Sequence, residues 1–200
     1  MNAFFPKSTF FNSSSYFIDE KVNFFKFENS YSVFDDKGVV IGAVKQKLSL
    51  GQKFLRILFN KKMLPFLLEI KNADDDLEAS ISRGWTFFLS KIEVKNPNGE
   101  VIGIIKQKFR LLKAKFVICD VNGKPLAEII GDWSAWDFII QDLGENRIGT
   151  ITKKWAGAMK EIFTSADKYL VELDPPCKNL EQRAVILSAA ITIDMILKES

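Results

Sequence analysis

Ile92-Glu-Val-Lys-Asn-Pro-Asn-Gly-Glu-Val-Ile-Gly-Ile-Ile105 is the stretch whose reading decides the fold. Its opening residues alternate apolar and polar as far as Asn96, the mark of a strand with one buried face. Asn96-Pro-Asn-Gly99 then supplies residues that bond their own backbone or accept positive φ, so a hairpin tip is predicted there. The chain returns with a small residue, Gly103, and two positions later a β-branched one, Ile105.

The same pattern occurs five times, anchored on Asp35, Asn72, Asn96, Asp120 and Asp142. Val33, Ile70, Val94, Ile118 and Ile140 stand two residues before the anchors, and Tyr31, Leu68, Ile92, Phe116 and Phe138 four before. Seven residues after each anchor comes a small side chain: Gly42, Ala79, Gly103, Ala127 and Gly149. Nine after comes Val44, Ile81, Ile105, Ile129 or Ile151. One copy departs at the sixth position, where Glu78 replaces the Ile41, Ile102, Leu126 and Ile148 of the others. Five hairpins give ten strands, and residues 22–27 and 169–173 read as two more. Hairpins without long crossovers make an antiparallel sheet, and about twelve strands tend to close rather than stay open.

Such a barrel needs filling. Ala184-Val-Ile-Leu-Ser-Ala-Ala-Ile-Thr-Ile-Asp-Met-Ile-Leu197 has apolar residues on every side and one charge, Asp194, so as a helix it must be surrounded. At ~1.5 Å per residue it spans roughly 21 Å, short of the ~30 Å hydrocarbon layer. The fold class predicted is mainly β, a closed antiparallel barrel of about twelve strands around a central hydrophobic C-terminal helix at about 181–197. Gly42, Gly103 and Gly149 are expected to face inward and make room for that helix. One barrel domain is assigned to 22–198, after an irregular lead-in at 1–21 that Pro6, Lys7 and a serine run prevent from forming a signal peptide.

The net charge of +3 hides an uneven distribution. Lys45, Lys47, Lys53, Arg56, Lys61 and Lys62 fall in one stretch without an acid, and Lys106, Lys108, Arg110, Lys113 and Lys115 in another. Elsewhere 17 bases face 25 acids. With two cysteines, Cys119 and Cys177, and no histidine, a disulfide framework, a structural zinc site and His-activated nucleophiles are not expected. No nucleotide loop or paired catalytic constellation occurs, so the reading is a non-enzyme in a reducing, cytoplasmic compartment.

The stretch Gly149-Thr-Ile-Thr-Lys-Lys-Trp-Ala-Gly-Ala-Met-Lys-Glu-Ile-Phe-Thr-Ser-Ala-Asp167 resembles a segment of the phospholipid scramblase family and the LURP-one-related proteins, which share the tubby-like fold. In that segment Gly149 and Trp155 are family positions, and an apolar C-terminal helix ending near an acid, here Asp194, follows. The resemblance extends back in register to Tyr31. It implies a twelve-stranded barrel threaded by its helix, association with phospholipid membranes and, in the name-giving members, calcium-stimulated lipid mixing between leaflets. Of the family's calcium-binding acids only Asp167 is retained, with Lys168 beside it and Pro176 at the closing position. A lysine opposes a divalent cation that wants six to eight oxygen ligands, so no cofactor is expected and calcium has only a degenerate site. The family's acylated cysteine-rich stretch and proline-rich arm are absent, so no lipid anchor is indicated.

Three readings of the basic stretches follow. They bind an anionic phospholipid surface, peripherally and on the inner membrane face. They take single-stranded nucleic acid between Phe54 and Phe59, or a protein partner, in a soluble scaffold or regulatory role. Or Lys45, Lys47, Lys106 and Lys108 merely decorate the solvent face of strands. Trp85, Trp133, Trp136 and Trp155 read as rim packing or as a membrane-facing set. Asp194 reads as an acid at the barrel mouth, one paired with a buried donor, or a functional group. A monomer is expected.

Overall fold

The computed structural model describes residues 9–21, 30–48, 63–86, 90–108, 114–132, 134–154, 168–175, 177 and 179–198. A short 3-10 turn, Phe10–Asn12, leads into β1 (Ser15–Lys21). There follow β2 (Ser30–Phe34), β3 (Val40–Lys47), β4 (Phe66–Asn72), β5 (Leu77–Arg83), β6 (Lys91–Lys95) and β7 (Val101–Lys108). Next come β8 (Ala114–Cys119), β9 (Pro125–Asp132), β10 (Asp137–Asp142), β11 (Arg147–Thr152), β12 (Lys168–Leu173) and, last among the described elements, the helix α1 (Leu180–Lys198). Each strand pairs antiparallel with its neighbours in sequence, and β1 closes on β12. Closure leaves no edge strand to pair with another chain.

The first strand corrects the sequence reading. β1 lies at Ser15–Lys21, inside the stretch expected to be an irregular lead-in, while 22–27 lies outside the described residues. Tyr16 and Ile18 point into the core, but Phe17 between them packs on the outside with Leu170 and Phe34, and this erases the alternation. Phe10 and Phe11, at 5.0 Å edge to face, cover the same end of the barrel.

All five hairpin tips share one geometry. The anchor N–H donates to the carbonyl four residues on, and its carbonyl accepts from the N–H three residues on, as in the pairs Asp35–Val39 and Asp35–Gly38. The residue three past each anchor has positive φ: Gly38, Asp75, Gly99, Gly123 and Glu145. The anchor side chains accept further backbone N–H groups, for example Asp120 Oδ1 from Asn122 at 2.9 Å and Lys124 at 2.8 Å.

Beyond each tip the register slips by one residue. Val33 faces Gly42, Ile70 faces Ala79, Val94 faces Gly103, Ile118 faces Ala127 and Ile140 faces Gly149. The sixth residue of every repeat is therefore the extra residue of a β-bulge, a device that bends the strand and tightens its twist. Five bulges in one ring help the sheet curl shut.

The small seventh residues do face inward, and all are buried. Their role differs from the expectation in two of three glycines. Only at Gly103 is the helix the neighbour: a Cβ there would lie 2.6 Å from Val185 Cγ2. At Gly42 the obstacles are the Lys71 carbonyl and, at 2.8 Å, the Phe10 ring; at Gly149 it is the Glu172 carbonyl of the next strand. There the absent side chain permits tight strand crossing at the bulge.

α1 enters from the tip end. Asn179 caps it, its Oδ1 accepting the Glu181 N–H at 2.8 Å, and Arg183 donates to the Asn12 carbonyl at 3.1 Å. Residues 184–196 are all buried, so the polar side of an ordinary surface helix is missing, as the sequence predicts. No helix among the described residues is long and apolar enough to cross a membrane.

Gly103→Ala is expected to lower the unfolding free energy by about 1–3 kcal/mol through overpacking against a stiff β-branched neighbour. Combining it with Val185→Ala should cost less than the sum of the two single changes in urea unfolding. Strict additivity would show that the two residues do not press on each other.

Candidate functional site

Because every strand pair is antiparallel, the molecule has two unlike ends. The five tips, the 3-10 turn and the start of α1 gather at one, the tip end. The connections following β1, β3, β5, β7, β9 and β11 leave from the other, the connection end.

The tip end is acidic. A cleft of about 970 Å³ lies between the 3-10 turn and three hairpin tips, and Asp35, Asp36, Asp74, Asp76 and Glu78 line it. Glu78 is the buried residue that breaks the repeat, and its Oε1 accepts from Asn72 Nδ2 at 3.0 Å. Among the described residues no three acids or cysteines are placed to hold a metal ion. Both thiols are buried, and burial pushes the Cys177 thiol up, opposed by Arg183.

The bases predicted as an anion site divide by where they stand. Lys45 Nζ lies 3.4 Å from Asp75, Lys47 3.2 Å from Glu69, and Lys115 2.8 Å from Glu128. Lys106 donates to the Gly123 carbonyl at 3.2 Å. Lys108 is exposed at the end of β7, opposite Lys115. Most strand-borne bases are thus engaged by groups on neighbouring strands or hairpin tips. Lys53, Arg56, Lys61, Lys62, Arg110 and Lys113, together with Trp155 and Asp167, lie outside the described residues. The stretches 49–62 and 109–113, which carry those six bases and no acid, join strand ends at the connection end.

Sequence reasoning missed the residue that organises this end. Arg83 closes β5 facing inward, its guanidinium 4.7 Å from the Phe66 ring centroid. Its Nη2 donates to the Leu64 carbonyl at 2.7 Å and its Nη1 to Ser90 Oγ at 3.3 Å. Two backbone bonds extend the clamp: Thr86 N–H to the Met63 carbonyl at 3.2 Å, and Gln107 N–H to the Ser90 carbonyl at 3.0 Å. The β5–β6 connection is thereby tied on one side to the residue after Lys62 and on the other to the residue before Lys108. The available signal was an arginine at an inward-facing strand position.

The tryptophans separate as well. Trp136 packs at the rim, 6.0 Å from Phe138 and 5.4 Å from Tyr169, with Lys153 over its face at 4.5 Å. Trp85 is 52% exposed. Trp133 lies outside the described residues. Asp194 is fully buried near Tyr169, whose ring meets the rim residue Trp136. Burial, then the nearby Asp194 carboxylate and Tyr31, hold the Tyr169 hydroxyl well above its ordinary value.

The scramblase family model matches residues 20–199, nearly the whole barrel and its helix. The chain belongs to the scramblase family. Human phospholipid scramblase family member 5 is 26% identical over 119 residues, covering 56% of this chain and 44% of that protein. Human phospholipid scramblase 1 is 30% identical over 119 residues, covering 56% and 37%. The chain thus spans less than half the length of these scramblases. Altered inheritance rate of mitochondria protein 25 from Saccharomyces cerevisiae is 21% identical over 232 residues, covering 94% and 71%. The X-ray structure of a protein from Arabidopsis thaliana superposes with a TM-score of 0.55 at 8% identity, covering 92% and 93%, and shares the fold.

Of the residues the resemblance assigns to calcium, Asp167 lies outside the described residues, and the neighbouring Lys168 holds its ammonium 3.5 Å from Asp19 Oδ2.

The Lys71–Asp75 ion pair makes stability depend on pH. The Lys71 ammonium first, and Lys45 next, hold the Asp75 carboxyl below its ordinary value, and the same bond raises Lys71. A depressed carboxylate contributes stability above its unfolded pKa of about 3.9 and loses it as pH falls through the folded value. The raised lysine contributes below its unfolded value of about 10.4 and loses it as pH rises through the folded one. Lys71→Gln should therefore lower the denaturation midpoint near neutrality, with the gap to wild type closing at both extremes. A gap independent of pH would refute the pairing.

Proposed function

We propose that this protein is a non-enzymatic member of the scramblase family that docks peripherally on anionic phospholipid membranes through its connection end, from the cytoplasmic side. One observation carries the reading: the strand-borne bases are largely engaged locally, whereas the acid-free stretches 49–62 and 109–113 both start and finish at the end of the barrel opposite the acidic tips. Family membership implies interaction with phospholipid membranes. A base near an anionic leaflet contributes about 1 kcal/mol, so six of them supply an attraction on the order of 6 kcal/mol, screened by salt within a ~10 Å Debye length. Docking in this form needs no calcium and leaves α1 in the barrel. The names of the relatives point to phospholipid transfer between leaflets as the activity to which docking contributes.

Co-sedimentation with vesicles tests the reading. The protein should pellet with vesicles containing phosphatidylserine at low salt and be released as salt rises, with calcium making no difference. Reversing Lys61, Lys62, Arg110 and Lys113 to glutamate should weaken binding by at least about a hundredfold, because each lost base removes about 1 kcal/mol. Lys45→Gln should leave binding unchanged. Equal binding to neutral vesicles, or no binding, would overturn the proposal.

A further inference from the structure

We infer that the cleft at the tip end is a docking site for a basic peptide segment of a partner protein, with Glu78 as the buried anchor for one of its lysine or arginine side chains. The inference concerns the end of the barrel opposite the proposed membrane-docking surface and does not rest on that reading.

It starts from the one break in the repeat. Five β-bulges occupy equivalent places behind the tips, and at four of them the extra residue is aliphatic: Ile41, Ile102, Leu126 and Ile148. At the fifth it is Glu78. The bulge itself therefore has no need of a carboxylate. Glu78 is nonetheless only 4% exposed, and it lines the cleft. Burying a carboxylate is costly unless a counter-charge or several donors compensate it. Asn72 Nδ2 supplies one neutral donor, to Oε1 at 3.0 Å. Among the described residues no donor meets Oε2, and no lysine or arginine lies within ion-pair distance of this side chain. A buried anion that faces an open cleft without its cation defines what the cleft is missing.

The rest of the lining repeats the charge. Asp35, Asp36, Asp74 and Asp76 add four carboxylates, and no base stands among the described lining residues. The neighbouring bases Lys45 and Lys71 turn instead to Asp75, which is not part of the lining. Local lysines thus neutralise the adjoining acid and leave those of the cleft uncompensated.

The occupant follows from shape and from the apolar part of the walls. A metal ion does not fit, because among the described residues no three acids converge to hold one. At about 970 Å³ the cleft is far larger than a single ammonium group, and Val40, Ile41, Leu77 and Pro97 give it apolar surface. Val40 and the adjacent Val39 are 51% and 57% exposed. Lysine and arginine satisfy both features, laying an aliphatic stem along apolar surface while the charged head reaches a carboxylate. The outer carboxylates steer such a segment in and act mainly on the rate of approach, whereas the desolvated pair with Glu78 governs how long it stays.

The test titrates the full chain with a fluorescein-labelled Arg-Leu-Arg-Leu-Arg-Leu peptide, read by anisotropy, and with the same peptide carrying glutamate in place of arginine. Wild type should bind the basic peptide and not the acidic one. Glu78→Gln, which keeps an acceptor for Asn72, should weaken binding at least about tenfold through faster release, while Asp36→Asn on the exposed rim costs about twofold through slower association. Glu78→Ile restores the aliphatic residue of the other four repeats. It should fold, raise the thermal midpoint of the free protein, and lose the further rise that the basic peptide gives to wild type. No binding by wild type, equal binding of the two peptides, or wild-type affinity in both Glu78 variants would overturn the proposal. Displacement of the peptide by spermine at equal concentration would make the cleft a polyamine site, and displacement by micromolar calcium a metal site; either result sinks the peptide assignment.

Discussion

An apolar helix with no wet face has to be enclosed, and nearly every feature of this barrel follows from that requirement. Ile186, Leu187, Ile191 and Ile193 are fully buried. Exposing four such side chains costs about 1.5–3 kcal/mol each, so removing α1 into water would cost on the order of 10 kcal/mol, comparable to the stability of a typical domain. Open sheets of this size do not surround a helix, whereas a closed one does so and also removes its own edges. Ring closure then demands curvature, supplied by five bulges at equivalent places, and close strand crossings, supplied by Gly42 and Gly149, whose inward positions leave no room for a side chain.

The repeat made this architecture legible because inward residues recur with period two on both arms of every hairpin. The bulges were equally present in the spacing. A tip in which the anchor faces the fourth residue on would set the residue two before it against the sixth, yet it is the seventh that is small and inward. That odd count requires an extra residue, and Glu78 at the sixth position, alone in being acidic, marked the place. β1 was not legible, because its outward Phe17 is buried under Phe34 and Leu170 and so hides which face is wet. Nor was the purpose of the glycines, since a small residue can yield space to a helix, as Gly103 does, or to a neighbouring strand's carbonyl, as Gly149 does. The neighbour that decides between them is distant in sequence.

The surface was legible only in part for a related reason. Counting bases along the chain treats Lys45 and Lys62 alike, whereas strand-borne Lys45 and Lys47 lie opposite carboxylates on neighbouring elements. Pairing across strands is invisible until register is known. Arg83 was passed over because it belongs to neither basic stretch. Its bonds to Leu64 and Ser90 nevertheless tie the β5–β6 connection to the segment that enters β4.

The same helix constrains how a family member of this shape meets lipid. A mechanism in which α1 leaves the barrel must first give up its core packing and expose the inward faces of twelve strands, and the bilayer can compensate the helix alone. It also has to move Asp194, fully buried beside Tyr169, into hydrocarbon, where a carboxylate is costly. A mechanism confined to the outside of the barrel carries neither cost. It needs only a surface that attracts headgroups and disturbs their packing, and the connection end offers bases and an exposed indole without disturbing the core. The interior therefore reads as the fixed support of the fold, and the docking proposed above places its lipid contacts on the connections at one rim.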